Sequence, residues 1–105
     1  MQEAIIYQLA DIAALAQQKI QRQSLIDPLI SINRQMRQQG FAIDVLTIDH
    51  LASQSRLLFI IDDAKPHQLR FQITKLDCDP SQSYQTIETI KADEAFFLQL
   101  MQTSL

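Results

Sequence analysis

The 105-residue chain has no tryptophan, one glycine, one cysteine and three prolines. Each scarcity excludes something. The lone thiol, Cys78, has no second cysteine to meet, so a disulfide scaffold within one copy is ruled out. With Gly40 as the only glycine, the usual phosphate-cradling loop cannot be built, and neither a G-x-S-x-G elbow nor an H-E-x-x-H pair is present. These missing motifs count against catalysis, and no catalytic residue and no cofactor is assigned. Apolar runs reach five residues, as at 57–61, well short of the roughly 18 that a membrane span needs. The N-terminal stretch carries Glu3 and no basic cluster before its apolar residues, unlike a secretory signal. Flexible Gly- or Pro-rich linkers are absent too. The expectation is a soluble, cytoplasmic protein with no membrane partner.

What the chain does contain is enough apolar material for an ordinary interior: 47% of residues are hydrophobic and 20% charged. A chain of this length buries roughly 65% of its unfolded surface, which is sufficient without metals or cross-links. The expectation is one α+β domain over residues 1–105. Sixteen glutamines are dispersed through periodic segments and form no low-complexity tract. The net charge is −3 and the isoelectric point about 5.1. Residues 1–40 carry an excess of one positive charge and residues 41–105 an excess of four negative ones. Nucleic-acid affinity comes mostly from clustered Lys and Arg releasing counterions, so this acidity disfavours a phosphate backbone as general partner.

Residues 3–23 predict a long helix: Ile5, Leu9, Ile12 and Ala16 recur at spacings of four, three and four, with Ile6, Ala13 and Ile20 on an adjacent stripe. At Ser24-Leu25-Ile26-Asp27-Pro28 the pattern breaks. Asp27 suits an N-cap and Pro28 a first helical position, which predicts a second helix over residues 28–39 with Leu29, Ile32 and Met36 on one face. Gly40 follows where a left-handed cap belongs. Together the two segments predict an N-terminal helical hairpin.

Beyond Gly40 the period falls from 3.6 to 2. Phe41, Ile43 and Val45 alternate with Ala42 and Asp44, and then the phase passes to Leu46 and Ile48, which predicts a bulge or strand end near Val45. Residues 57–61 are apolar on both faces, as in a central strand covered on two sides. Residues 64–68, with Pro66, read as a hairpin connection. Leu69, Phe71 and Ile73 alternate with polar residues in a half-exposed strand, and residues 84–90 form a weaker strand pattern. Asp93 can cap a last helix whose stripe is Phe96, Phe97, Leu100 and Met101. The predicted architecture is therefore the helical hairpin, an antiparallel meander of three or four strands, and a C-terminal helix. A strand apolar on both sides needs two covering layers; a second copy of the chain could supply one, which predicts a homodimer, while the last helix could do so alone.

Few residues suggest chemistry. Oxygen-bearing side chains at Asp77, Asp79, Ser81, Ser83, Gln85 and Glu88 match the spacing of an EF-hand loop, but Gln82 stands at the glycine position and the flanks read as strands; a solvated hairpin loop fits better. His50, His67 and Cys78 are the soft metal ligands, none at ligand spacing from another, so no metal site is expected. Asp49 and His50 are strand neighbours that point to opposite faces. Cys78 between Asp77 and Asp79 has its thiolate disfavoured by like charge. Lys19 with Arg22, and Arg34 with Arg37, are each three apart and share helix faces: either a modest basic patch or a solvated surface. Asp62 and Asp63 close the apolar strand, and with His67 could stand at the mouth of a pocket between sheet and helices.

These features favour a non-catalytic protein-interaction module of adaptor, chaperone-like or regulatory type, dimeric, with another protein or itself as partner. Two alternatives remain open: a small-ligand binder or minor enzyme using that pocket, and a weak nucleic-acid binder using the hairpin.

Overall fold

The computed structural model of the chain describes residues 4–24, 26–80 and 83–105. Residue 3 at the expected start of the first helix, Leu25 in the expected break, and Ser81 and Gln82 of the oxygen-bearing loop lie outside this set. The elements are α1 (Ile5–Ser24), β1 (Leu29–Asn33), a single-turn α2 (Gln35–Gln38), β2 (Ile43–His50), β3 (Ser55–Asp62), β4 (Gln68–Lys75), β5 (Gln85–Glu88), a 3-10 turn (Thr89–Lys91) and α3 (Glu94–Ser104). The five strands form one antiparallel sheet in chain order, with β3 at its centre. The chain is α+β, and the order of helix, meander and C-terminal helix follows the sequence pattern.

Two expectations need correction. There is no helical hairpin: residues 29–33 are a strand, which gives the sheet five members where three or four were predicted. The helical repeat is carried by Leu29, Ile32 and Met36, while the β-branched Ile30 and Ile32 alternate with period 2. As a strand they lie opposite Ile48 and Leu46 on the core side of the sheet. Asp27 caps nothing; its carboxylate accepts from Gln21 Nε2 at 2.5 Å, and the Pro28 carbonyl accepts from Gln17, which ties the segment back along α1. What helix exists is the turn of α2, closed in the Schellman manner by Phe41 N–H on the Met36 carbonyl and Gly40 N–H on the Arg37 carbonyl. Gly40 sits at φ +93°, as its position predicted.

The second correction is at Val45. Strand β2 runs unbroken in register with both β1 and β3, without a bulge. Its inward residues are Asp44, Leu46 and Ile48, all buried, while Ile43 and Val45 belong to the other face. The apparent phase slip came from an acid standing on the inward phase.

Both long helices lie on one face of the sheet. From α1, Ile6, Leu9, Ala13, Ala16 and Ile20 enter the core, and the small alanines bring the helix close. From α3 come Phe97 and Met101. They meet Leu46, Ile48, Leu57, Phe59, Ile61, Leu69 and Phe71 from the sheet. Phe59 lies at the middle, with ring centroids 5.1 Å from Phe97, 5.9 Å from Phe71 and 6.4 Å from Phe96. Such ring pairs contribute about 0.5–1.5 kcal/mol each beyond their burial. The Asp93 carboxylate accepts from Phe96 N–H at 2.9 Å and so caps α3 as the sequence predicts.

Candidate functional site

Because side chains alternate along each strand, the register assigns every sheet residue to a face. The face away from the helices carries Leu29, Ser31 and Asn33 from β1, Ile43, Val45, Thr47 and Asp49 from β2, and Arg56, Leu58, Ile60 and Asp62 from β3. From β4 it carries Gln68, Arg70, Gln72 and Thr74. No described helix covers this face. At its centre Leu58 and its cross-strand partner Gln72 are buried, and half-buried Ile43, Val45, Thr47 and Ile60 form a largely apolar patch beside them. Its rim is charged and ordered. Arg56 Nε and Nη2 donate to the two oxygens of Asp49, directly opposite across β2 and β3, at 2.7 and 2.9 Å. The Arg70 guanidinium stacks over the Tyr84 ring at 5.8 Å. The central strand is thus apolar on both sides, as residues 57–61 predict, and the helices cover one of them.

A second constellation lies on the helix side, where α2 meets the start of β2. Asp44 is only 2% exposed. It accepts from Arg34 Nε at 2.9 Å and from Arg37 Nε and Nη2 at 2.6 and 2.7 Å. Arg37 also donates from Nη1 and Nη2 to Asp63 at 2.9 and 2.8 Å, so four of its five N–H groups end on carboxylates. Arg34 reaches the Tyr7 hydroxyl at 3.5 Å and lies over its ring. Burial pushes the Asp44 carboxyl up, but the bonds from Arg37 and Arg34 outweigh it and hold the pKa below the ordinary value. The Arg37 bond holds Asp63 low as well, and both guanidinium groups are raised, chiefly by their bonds to Asp44. A cleft of about 300 Å³ between α1 and the sheet is lined by Ala4, Ile5, Arg34, Arg37, Asp44, Ile61 and Asp63. Its two positive and two negative side chains are engaged with each other, which fixes α2 against β2.

The residues singled out from the sequence fall as follows. Lys19 pairs with Glu94 of α3 at 2.9 Å, Arg22 is exposed at the far end of α1, and Arg34 and Arg37 meet at Asp44. The four cations are not gathered on one surface. Asp62 and Asp63 part at the end of β3. Asp63 turns to Arg37, whereas Asp62 accepts from Ala64 N–H at 2.9 Å and lines a small recess of about 90 Å³ with Lys65, Gln68 and Arg70. His67 is exposed in the β3–β4 connection, where its carbonyl accepts from Thr89 N–H, and it lines neither cleft. His50 Nδ1 lies 2.8 Å from Ser53 Oγ. Cys78 is exposed, and its thiol pKa is raised by the charge of Asp77, with Asp79 adding to it. Sequence reasoning missed Asp44 and Tyr7. The signal for Asp44 was an acid on the same strand phase as Leu46 and Ile48, a few residues after two arginines.

No family model matches the chain, and no curated protein or solved structure matches it.

Proposed function

We propose that this chain is a small, non-catalytic protein-interaction module of adaptor, chaperone-like or regulatory type, dimeric, which receives a protein partner on the open face of its sheet. One observation carries the proposal: both long helices stand on the same side of a strand that is apolar on two sides. The other side has an apolar centre of Ile43, Val45, Leu58 and Ile60 within a rim of Asp49, Arg56, Arg70 and Asp62. That anatomy, a largely apolar centre with a polar rim, suits a partner that binds and leaves rather than an obligate core. The cleft at Asp44 supports this choice over a ligand pocket, because its polar groups, Arg34, Arg37, Asp44 and Asp63, are already bonded to one another.

The test is capture from a lysate of the source by the tagged chain, compared with the double variant Val45→Glu/Ile60→Glu. Both positions are half-buried and outside the helix-side core, but they stand opposite each other across β2 and β3, so the two glutamates also repel. Circular dichroism checks the fold, and the single variant Val45→Glu, which makes no such pair, is run beside it. The expected result is a stoichiometric partner held by the wild type through moderate salt and lost with the variant. Equal retention by both, or no partner for either, contradicts the proposal.

A further inference from the structure

We propose that two copies of this chain pair edge to edge through β1, antiparallel about a two-fold axis at Ser31, and join their sheets into one. This rests on the dimeric part of the function proposed above and places the contact at the sheet edge, leaving the open face to the other partner.

Strand β1 is the first of the sheet. Its inner side pairs with β2 in regular register from Leu29 to Asn33, and no other described backbone segment bonds to its outer side. Exposed edges template further pairing, and proteins guard them with charge, an internal proline, a bulge or a covering element. Leu29-Ile30-Ser31-Ile32-Asn33 has no charge, no proline and no bulge. The opposite edge differs: β5 has four residues and ends in Glu88, which Lys91 approaches at 3.9 Å.

The sequence of β1 says what fits there. Its central three residues, Ile30-Ser31-Ile32, are symmetrical about Ser31, and its ends, Leu29 and Asn33, are both uncharged. Antiparallel pairing about Ser31 sets Ile30 opposite Ile32 of the second copy, and Ile32 opposite its Ile30. Both lie on the helix side, where they are half-buried and already pack on the core. Two apolar cross-strand pairs then extend the rows that run Ile30–Ile48–Leu57 and Ile32–Leu46–Phe59. A two-fold contact uses one patch twice, so the patch must tolerate itself, and a neutral strand with a symmetrical centre does.

The helix above the edge agrees. Helix α1 is fixed along this side by Gln17 on the Pro28 carbonyl, Gln21 on Asp27 and Tyr7 against Arg34. At 3.6 residues per turn, Tyr7, Ala10, Ala14, Gln17 and Gln21 span a flank of about 80°. All five are uncharged, and the two alanines leave room for the same flank of the second α1 to approach across the seam. Lys19, by contrast, lies on the α3 side, paired with Glu94.

Sedimentation equilibrium of the full chain tests this, with Cys78→Ser as background so that the native thiol cannot cross-link. The expected mass is twice the 12.1 kDa of one chain. Ser31 is exposed, so Ser31→Lys preserves the fold while setting like charges against each other at the axis, and the mass falls to that of one chain. In the same background Ser31→Cys forms an intermolecular disulfide under mild oxidation, because directly opposed Cβ atoms of an antiparallel pair approach to about 4.5–5.5 Å. A dimer that survives Ser31→Lys, or one in which Ser31→Cys does not cross-link, overturns the edge contact. If that dimer instead separates with Val45→Glu/Ile60→Glu, the edge contact fails while the interaction reading stands. A wild-type chain that stays monomeric at all concentrations overturns the edge contact outright, and partner capture then decides the function separately.

Discussion

At Asp44 an acid occupies the inward phase of β2, on the same side as Leu46 and Ile48, and a charge so placed persists only with full compensation. Arg37 grips both of its oxygens and Arg34 adds a third bond. Replacing it by asparagine removes the charge these guanidinium groups answer, and Asp44→Asn is expected to lower stability by about 1–3 kcal/mol at neutral pH. The pH dependence follows from the direction of the shifts. Asp44 and Asp63 titrate lower in the folded chain than their unfolded value of roughly 3.9. Below that value the unfolded state takes up more protons, so their contribution is complete above about pH 5 and fades as pH falls through the folded values. Urea midpoints between pH 3 and 7 check this: the wild type loses stability on the acid side, and Asp44→Asn flattens that limb. A variant with the wild-type acid limb contradicts it. The cluster was only half legible in the sequence. Arg34 and Arg37 were seen to share a side, but their spacing is compatible with a helix face and with two residues closing on one carboxylate, and only the register of β2 says which.

At the level of elements, the legible ones are those whose own residues decide their conformation. Helix α1 has five regularly spaced core residues, α3 has an N-cap and a stripe of aromatic and aliphatic residues, and Gly40 meets its left-handed turn. In these, local preference and tertiary packing agree. Strand β1 was illegible because five residues can satisfy a period of 3.6 or 2 equally, and pairing with β2 overrides the helix signal of Asp27-Pro28. The unbroken β2 was hidden by Asp44 standing where the pattern expects an apolar residue. Where a single local feature does the work, its removal has a local cost. Asp93→Ala leaves the Phe96 N–H without its acceptor and is expected to cost about 1 kcal/mol. For a domain near this size that is a fall in Tm of roughly 4–8 °C, and thermal unfolding followed by circular dichroism measures it. An unchanged Tm would mean that the carboxylate does not hold the start of α3.

For the whole molecule, the decisive feature is asymmetry between the two sides of one sheet. Both helices pack on the side of Phe59, so the far side of β3 faces outward with Leu58 and Ile60, and the neutral strand β1 stands at an edge beside them. The sequence announced the apolar central strand but not the sharing of one face by both helices, because no periodicity within an element states where it docks. Side-chain footprinting by hydroxyl radicals reads that asymmetry most directly, on the isolated chain and on the chain bound to its captured partner. In the isolated chain Ile43, Val45 and Ile60 should be oxidised while Phe59 and Phe97 are protected, and partner binding should then protect Ile43, Val45 and Ile60. Equal protection of both sets in the isolated chain, or an unchanged footprint on the open face when the partner is bound, would contradict a module that works through the uncovered side of its sheet.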